Sequence, residues 1–319
     1  MLKNTGRLSF IVLLACCGLA TLLRGAGEND PYQVVHGWPT LPEGFYFSQV
    51  SGVGVDSHNH VFVFHRGERP VMMFDGPTGK LLSSWGDGLF VGTHGLTVDH
   101  ENNIWLTDYL GHQIFKFTHD GERLMVLGKK GVPGQGPDHF NGPTDVAVAS
   151  SGVFYVSDGY GNNRVAKFAP DGRLILEWGK KGAGPGEFQL PHGVALDAQG
   201  RVYVADRTNA RVQIFDGDGK FLAEWKSPGL GRPWKIEIRD GYAYVVDGGD
   251  GGRPYKPPMR NWAVRLDLTG KVLDKWGSFG SYDGQFIWAH DVAVGPDGAV
   301  YVADVDVGMR IQKFLRKAR

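Results

Sequence analysis

Six aligned copies of a two-strand phrase, a repeat length that suits a four-stranded blade, and a spare strand near the N-terminus predict an all-β fold, a six-bladed propeller. The phrase is clearest at Leu190-Pro191-His192-Gly193-Val194-Ala195-Leu196-Asp197, which continues through Arg201-Val202-Tyr203-Val204-Ala205-Asp206 to Arg211-Val212-Gln213-Ile214-Phe215. Apolar residues alternate along it and Gly and Asp punctuate it, the pattern of short antiparallel strands. First-strand cores recur at 53–56, 96–99, 146–149, 194–197, 236–239 and 292–295, at spacings of 43, 50, 48, 42 and 56 residues. Four-stranded propeller blades repeat roughly every 40–50 residues.

Taken in order, the second strands end at His65, Asp108, Asp158, Asp206, Asp247 and Asp304. Third strands follow, such as Gln113-Ile114-Phe115-Lys116-Phe117. Fourth strands are read at 81–85, 124–127, 174–178, 221–225 and 272–276. The sixth copy stops after Ile311-Gln312-Lys313-Phe314 without one. Tyr32-Gln33-Val34-Val35-His36-Gly37-Trp38 matches the missing strand, so residues 32–38 are expected to complete the last blade and close the ring, leaving no exposed sheet edge. The fifth copy carries an insertion, 248–262. The domain reading is a targeting segment and tether at 1–30 and one propeller at 31–319.

Composition supports this and excludes several functions. The chain has 319 residues, 42% of them hydrophobic, enough for a large core, and its 48 glycines suit many tight turns. Lys+Arg and Asp+Glu are equal at 34 each, so no net charge favours nucleic acid or an acidic membrane. Lys3 and Arg7 precede an apolar run from Leu8 to Leu23, short for a membrane span and suited to an export signal. Leu13-Leu14-Ala15-Cys16 resembles a bacterial lipoprotein cleavage box, with Cys16 as the lipidated residue; cleavage near Ala20 and an uncleaved anchor are the alternatives. In each case the body is expected outside the cytoplasm, periplasmic or at the cell surface. Both cysteines, Cys16 and Cys17, lie in that run, so the propeller can form neither a disulfide nor a thiolate metal site.

In a blade the innermost strand begins at the face where the second strand ends, so two sequence columns meet at one mouth of the channel. The first holds Ser51, His94, Thr144, His192, Trp234 and His290. Histidine fills alternate blades, which stand about 120° apart in a six-fold ring. A single such histidine is more simply a turn residue. Three in one column point to a three-imidazole metal site with an open position, with zinc the leading ion over iron, copper and nickel. The second column holds Arg66, Tyr109, Gly159, Arg207, Gly248 and Val305, with Tyr160 one residue further on. Arg66 and Arg207 face each other across the mouth and suit a carboxylate; ordinary salt bridging fits each equally well. The strand-end aspartates, and Arg164, Arg211 and Arg310, recur too regularly to be catalytic and are expected to pin loops. Asp291 breaks the small-residue pattern of its column and reads equally as an axial oxygen ligand or a turn residue. His65 is expected to support the site. His36, His58, His60, His100, His112, His119 and His139 lie mostly in turns and carry no role.

These residues together resemble a known family. Phe64-His65-Arg66-Gly67, His94-Gly95-Leu96, Pro143-Thr144-Asp145-Val146-Ala147-Val148, Val156-Ser157-Asp158-Gly159-Tyr160, Pro191-His192, Ala205-Asp206-Arg207 and Ala289-His290-Asp291 look like peptidyl-α-hydroxyglycine α-amidating lyase, an NHL-type six-bladed propeller, in order from about Gly52 to Phe314. The resemblance implies that His94, His192 and His290 bind zinc (Zn2+), that Tyr160 is catalytic, and that Arg66 and Arg207 serve the site. It implies a structural calcium (Ca2+) held by the carbonyls of Val53 and Leu96 and the carboxylate of Asp291. Trp288 stands where the family has a methionine lining the substrate site, and Gly161 where animal members have a disulfide cysteine. No copper hydroxylase half is expected beside the propeller.

The implied reaction splits a peptidyl-α-hydroxyglycine, or a related α-hydroxy amide, into an amide and glyoxylate. Zinc would acidify the α-hydroxyl, Tyr160 would take its proton, and Arg66 or Arg207 would hold the carboxylate. The insertion, with Arg253, Tyr255 and Arg260, is placed over the same mouth. Two rivals remain: a non-catalytic NHL propeller that binds a peptide or protein partner, and a lactonase-like hydrolase, whose carboxylate and amide ligands the histidine column disfavours. A monomer is expected.

Overall fold

In the computed structural model, residues 30–249 and 260–318 are described. The leader up to residue 29, and Arg253 and Tyr255 of the insertion, lie outside the described residues. The rest forms six four-stranded antiparallel sheets arranged as the blades of a propeller. The inner strands are Val50–Val55, Thr93–Val98, Pro143–Val148, Pro191–Leu196, Pro233–Arg239 and Ala289–Val294. Among the described residues no helix is long and apolar enough to cross a membrane.

The sixth blade is completed as expected by the N-terminal segment, though by a shorter strand. Tyr32–Val34 pairs antiparallel with Arg310–Arg316, with Tyr32 opposite Arg316 and Val34 opposite Phe314. One further bond, from Val35 N–H to the Lys313 carbonyl at 2.8 Å, ends the pairing. Gly37 then takes φ +72° and Pro39 offers no N–H, so the ladder cannot run to residue 38. Trp38 still does what a blade's last tryptophan does elsewhere. It packs under Gly79 of the next blade as Trp178 packs under Gly219, and a Cβ on either glycine would come within 2.7 Å of the indole.

The core lies between blades. Phe62, Phe64 and Val71 of the first blade pack on Leu96, Leu106 and Phe115 of the second. Val53, Val63 and Phe74 pack on Ala293, Tyr301 and Ile311 of the sixth, sealing the ring. A blade therefore has no core of its own, and apolar burial drives closure.

One regularity sets up the site. In all six blades the pairing between the first two strands slips near the start of the inner strand: between Val50 and Gly52, Thr93 and Leu96, Pro143 and Asp145, Pro191 and Gly193, Pro233 and Lys235, and Ala289 and Asp291. Each slip is a β-bulge whose extra residue leaves the ladder and is re-aimed. Those residues are the column Ser51, His94, Thr144, His192, Trp234 and His290.

Candidate metal centre and anion cavity

The bulges carry three imidazoles to the channel axis. His94, His192 and His290 are 1%, 3% and 4% exposed, and their ring centroids are 4.6, 4.7 and 5.0 Å apart. Each Nδ1 lies against a backbone carbonyl of a neighbouring blade: His94 on Thr144 at 2.7 Å, His192 on Trp234 at 2.8 Å, His290 on Ser51 at 2.7 Å. A carbonyl can only accept, so each Nδ1 carries the proton and each Nε2 presents a bare lone pair. Burial, with the charges of Arg66, Arg207 and Lys235 behind it, lowers the His94 pKa to about 3. Burial likewise drives His192 and His290 well below the usual imidazole value. The three rings are thus neutral, fixed in tautomer, and able to offer one ligand atom each within 4.8 Å of one another. Three imidazole donors with a carbonyl behind each ring fit a borderline-soft divalent metal.

Tyr160 reaches the open side of this triangle. Its hydroxyl is 3.0 Å from His94 Nε2 and 3.4 Å from His192 Nε2, while its ring lines the cavity above and is 40% exposed. Burial of the hydroxyl raises its pKa, and the guanidiniums of Arg207 and Arg66 pull the other way.

That cavity, about 340 Å³, opens at the mouth and is lined in part by Arg66, Arg207, Tyr109, Trp234 and Trp288. Arg207 is 8% exposed and lies over the Trp234 ring at 3.2 Å. Burial lowers its pKa to about 10, which leaves it charged at neutral pH. Arg66 is held by Gln49 Oε1 at 2.5 Å and lies 5.3 Å over the Tyr109 ring. Asp306 also lines the cavity, so two guanidiniums face one lining carboxylate. The structure thus brings Arg66, Arg207, Tyr160 and Trp288 to one cavity above the three histidines. The roles of Tyr109 and Trp234 as aromatic seats for the arginines were not read from the sequence, although both stand in the two mouth columns.

Arg260, placed over the mouth by the sequence reading, is within 3.6 Å of Asp247. The strand-end residues pin loops as expected. Asp108 accepts from the N–H groups of Val91, Gly92 and Gly111. Arg164, Arg211 and Arg310 pair with Asp158, Asp206 and Asp304 of their own blades. His65 does the same work through Nδ1, which accepts from Ser48 and Gly67, 3.2 Å each. Burial lowers its pKa to about 4.

Below the triangle lies a second charged layer. The Asp291 carboxylate accepts from Val53 N–H at 3.2 Å and Val292 N–H at 2.7 Å, and the Lys235 ammonium is 3.8 Å from it. Lys235 bonds both oxygens of Asp145, at 2.7 and 2.8 Å. The neighbouring carboxylates hold Lys235 charged despite burial, and burial pushes the Asp291 carboxyl up against the pull of that ammonium. A calcium ion on Asp291 and the Val53 and Leu96 carbonyls would share this layer with a fixed internal cation.

Comparison with known proteins agrees with the architecture. The NHL repeat model matches residues 140–168 and 188–215. The chain is 34% identical over 306 residues to peptidylglycine α-amidating monooxygenase of Rattus norvegicus, covering 84% of this chain and 30% of that one. It is 30% identical over 305 residues to peptidyl-α-hydroxyglycine α-amidating lyase 2 of Drosophila melanogaster, covering 85% and 72%. The chain spans about a third of the length of the vertebrate monooxygenases it matches. A solved streptogramin B lyase superimposes with a TM-score of 0.62 at 16% identity over 90% of this chain and 98% of that one, a likeness of fold alone.

Proposed function

Because the chain belongs to the peptidyl-α-hydroxyglycine α-amidating lyase family, we propose that it cleaves a peptidyl-α-hydroxyglycine, or a related α-hydroxy amide, to an amide and glyoxylate. The carrying observation is the set of three buried, neutral, tautomer-fixed imidazoles with a tyrosine hydroxyl on two of them. They lie at the floor of a cavity that holds two guanidiniums.

His94, His192 and His290 would hold the metal, for which zinc is our assignment. When bound, the ion supplies a Lewis acid that makes the substrate's α-hydroxyl easier to deprotonate. The chain's own groups do the rest. Tyr160 accepts the hydroxyl proton as the carbinol C–N bond breaks and C=O forms, and the departing amide nitrogen takes up a proton. Burial raises the Tyr160 pKa, so the guanidiniums of Arg207 and Arg66 matter as the charges that favour its phenolate. The same arginines hold the carboxylate that becomes part of glyoxylate. Trp288 and Trp234 exclude water and set the width of the cavity. From the leader-like start we infer an exported compartment, periplasmic or at the cell surface, with lipidation at Cys16, cleavage near Ala20 or an uncleaved anchor as the three ways to reach it. Calcium at Asp291 enters our reading only in competition with Lys235, as tested below.

The test is metal analysis of the purified protein combined with glyoxylate release from α-hydroxyhippurate. Bound zinc and glyoxylate release are expected. A protein that retains no transition metal, or a loaded one that releases no glyoxylate, overturns the proposal.

A further inference from the structure

On the face opposite the cavity, three histidines without a role in the lyase reading converge on one buried carboxylate. Asp56 follows the first blade's inner strand, and its Oδ1 accepts from His58 N–H at 2.9 Å and His60 N–H at 2.7 Å, closing the turn into the second strand. Its Oδ2 faces His60 Nδ1 at 2.9 Å, His119 Nε2 at 3.1 Å and His58 Nδ1 at 3.7 Å. His119 comes from the turn between the third and fourth strands of the second blade, and its Nε2 is 3.2 Å from His60 Nδ1.

The repeat supplies an internal control. Asp99 and Asp197 make the same turn in blades two and four, bonding the N–H groups two and four residues on. Neither needs a histidine: the position of His60 is Asn103 or Arg201. Their Oδ2 atoms accept from that side chain, Asn103 Nδ2 at 3.2 Å and Arg201 Nε at 2.6 Å, and also from the second strand, from Trp105 Nε1 at 2.9 Å and Tyr203 OH at 3.0 Å. The corresponding residue in the first blade is Phe62, which has nothing to donate. Asp56 Oδ2 therefore lacks the second-strand donor its counterparts have and is surrounded by imidazole nitrogens, one from the shared position and two from His58 and His119.

We propose that Asp56, His58, His60 and His119 form a second site for a zinc-class divalent metal ion, clamping the first blade to the second. Four ligands at about 2.0–2.1 Å from a tetrahedral ion stand roughly 3.3 Å from one another. The edges among Asp56, His60 and His119 are 2.9, 3.1 and 3.2 Å, and His58 stands 3.7 Å from Asp56 with its ligand atom within 4.8 Å of that of His60. Two imidazole nitrogens 3.2 Å apart on one carboxylate oxygen are satisfied together when both lone pairs point at a cation. His119 can meet this arrangement, since Asp120 Oδ1 lies 3.0 Å from its Nδ1 and can hold the proton there, which frees Nε2 for the ion beside Asp56. The site is reachable: the His58 side chain is 65% exposed, and those of His60 and His119 are 28% exposed, while Asp56 is enclosed.

Zinc titrated calorimetrically into the untagged, metal-loaded protein is expected to show one further equivalent. His60→Ala and His119→Ala should lose it, and Asp120→Asn should weaken it about 10- to 100-fold. His192→Ala, which empties the other centre, should keep it. Retained thermal unfolding midpoints in the His60 and His119 variants establish that the loss is local. Absence of a further equivalent in the unaltered protein, or an undiminished one in both histidine variants, overturns the site.

Discussion

The two histidine clusters sit at opposite ends of the same ring and are built on different plans. His94, His192 and His290 come from the same bulge in alternate blades, are almost fully buried, and rest on backbone carbonyls. Asp56, His58, His60 and His119 come from one turn and its neighbour, rest on carboxylates, and are partly open to solvent. The first plan gives buried, neutral, preorganised ligands at the floor of an open cavity, which suits chemistry. The second gives a charged, accessible grip between two blades, which suits holding them together.

The largest expected effect separates the two. His192→Ala should lower glyoxylate release by more than about 100-fold, the level at which even an outer partner of a metal ligand acts, while zinc binding at the Asp56 cluster persists. Next, Tyr160→Phe should reduce kcat by about 10²–10⁴-fold, the usual worth of a positioned proton acceptor. Metal content should be unchanged, because the hydroxyl contacts the ligands without being one. If Tyr160→Phe loses its metal instead, the tyrosine belongs to the centre's assembly.

Stability changes follow. Lys235→Met leaves Asp145 and Asp291 facing each other without their ammonium, and breaking a buried pair of this kind costs about 3–5 kcal/mol. Urea midpoints should show that loss, and added calcium should restore part of it in the variant. In the unaltered protein a calcium-selective chelator should leave the midpoint where it is. A fall on chelation would mean that calcium, and not Lys235, serves Asp291. A smaller effect belongs to His65, whose folded pKa of about 4 lies below the usual value of 6.5. Below pH 6.5 the unfolded chain takes a proton that the folded one refuses, so stability is present above that pH and is lost as pH falls toward 4. The shift corresponds to on the order of 3 kcal/mol, read as the part of the urea stability lost between pH 7 and pH 4 that disappears in His65→Asn, since His94, His192 and His290 add their own losses over the same range.

The plans also differ in how visible they were in the sequence. The mouth was legible because a repeat turns columns into positions: once six copies were aligned, His94, His192 and His290 had to converge, and Arg66, Arg207 and Tyr160 had to stand above them. The bulge that aims the histidines was not legible, since a single slipped residue changes no spacing. Nor was Lys235, which sits one place after the column and reads as an ordinary strand residue until the axis brings Asp145 and Asp291 to it. The Asp56 cluster stayed hidden because His119 joins it from another blade's outer turn, a neighbourhood fixed by packing and not by any column. The closing strand was placed correctly but read four residues too long, because Gly37 and Pro39 end the ladder that the apolar pattern seemed to extend.

The central claim is that the alternate-blade histidines make the reaction possible, and its most direct test is a reconstitution. Zinc returned stepwise to chelated protein should restore glyoxylate release in proportion to the equivalent bound at His94, His192 and His290, with no further gain as the Asp56 cluster fills. Undiminished glyoxylate release from the chelated protein before any metal is added would contradict the account.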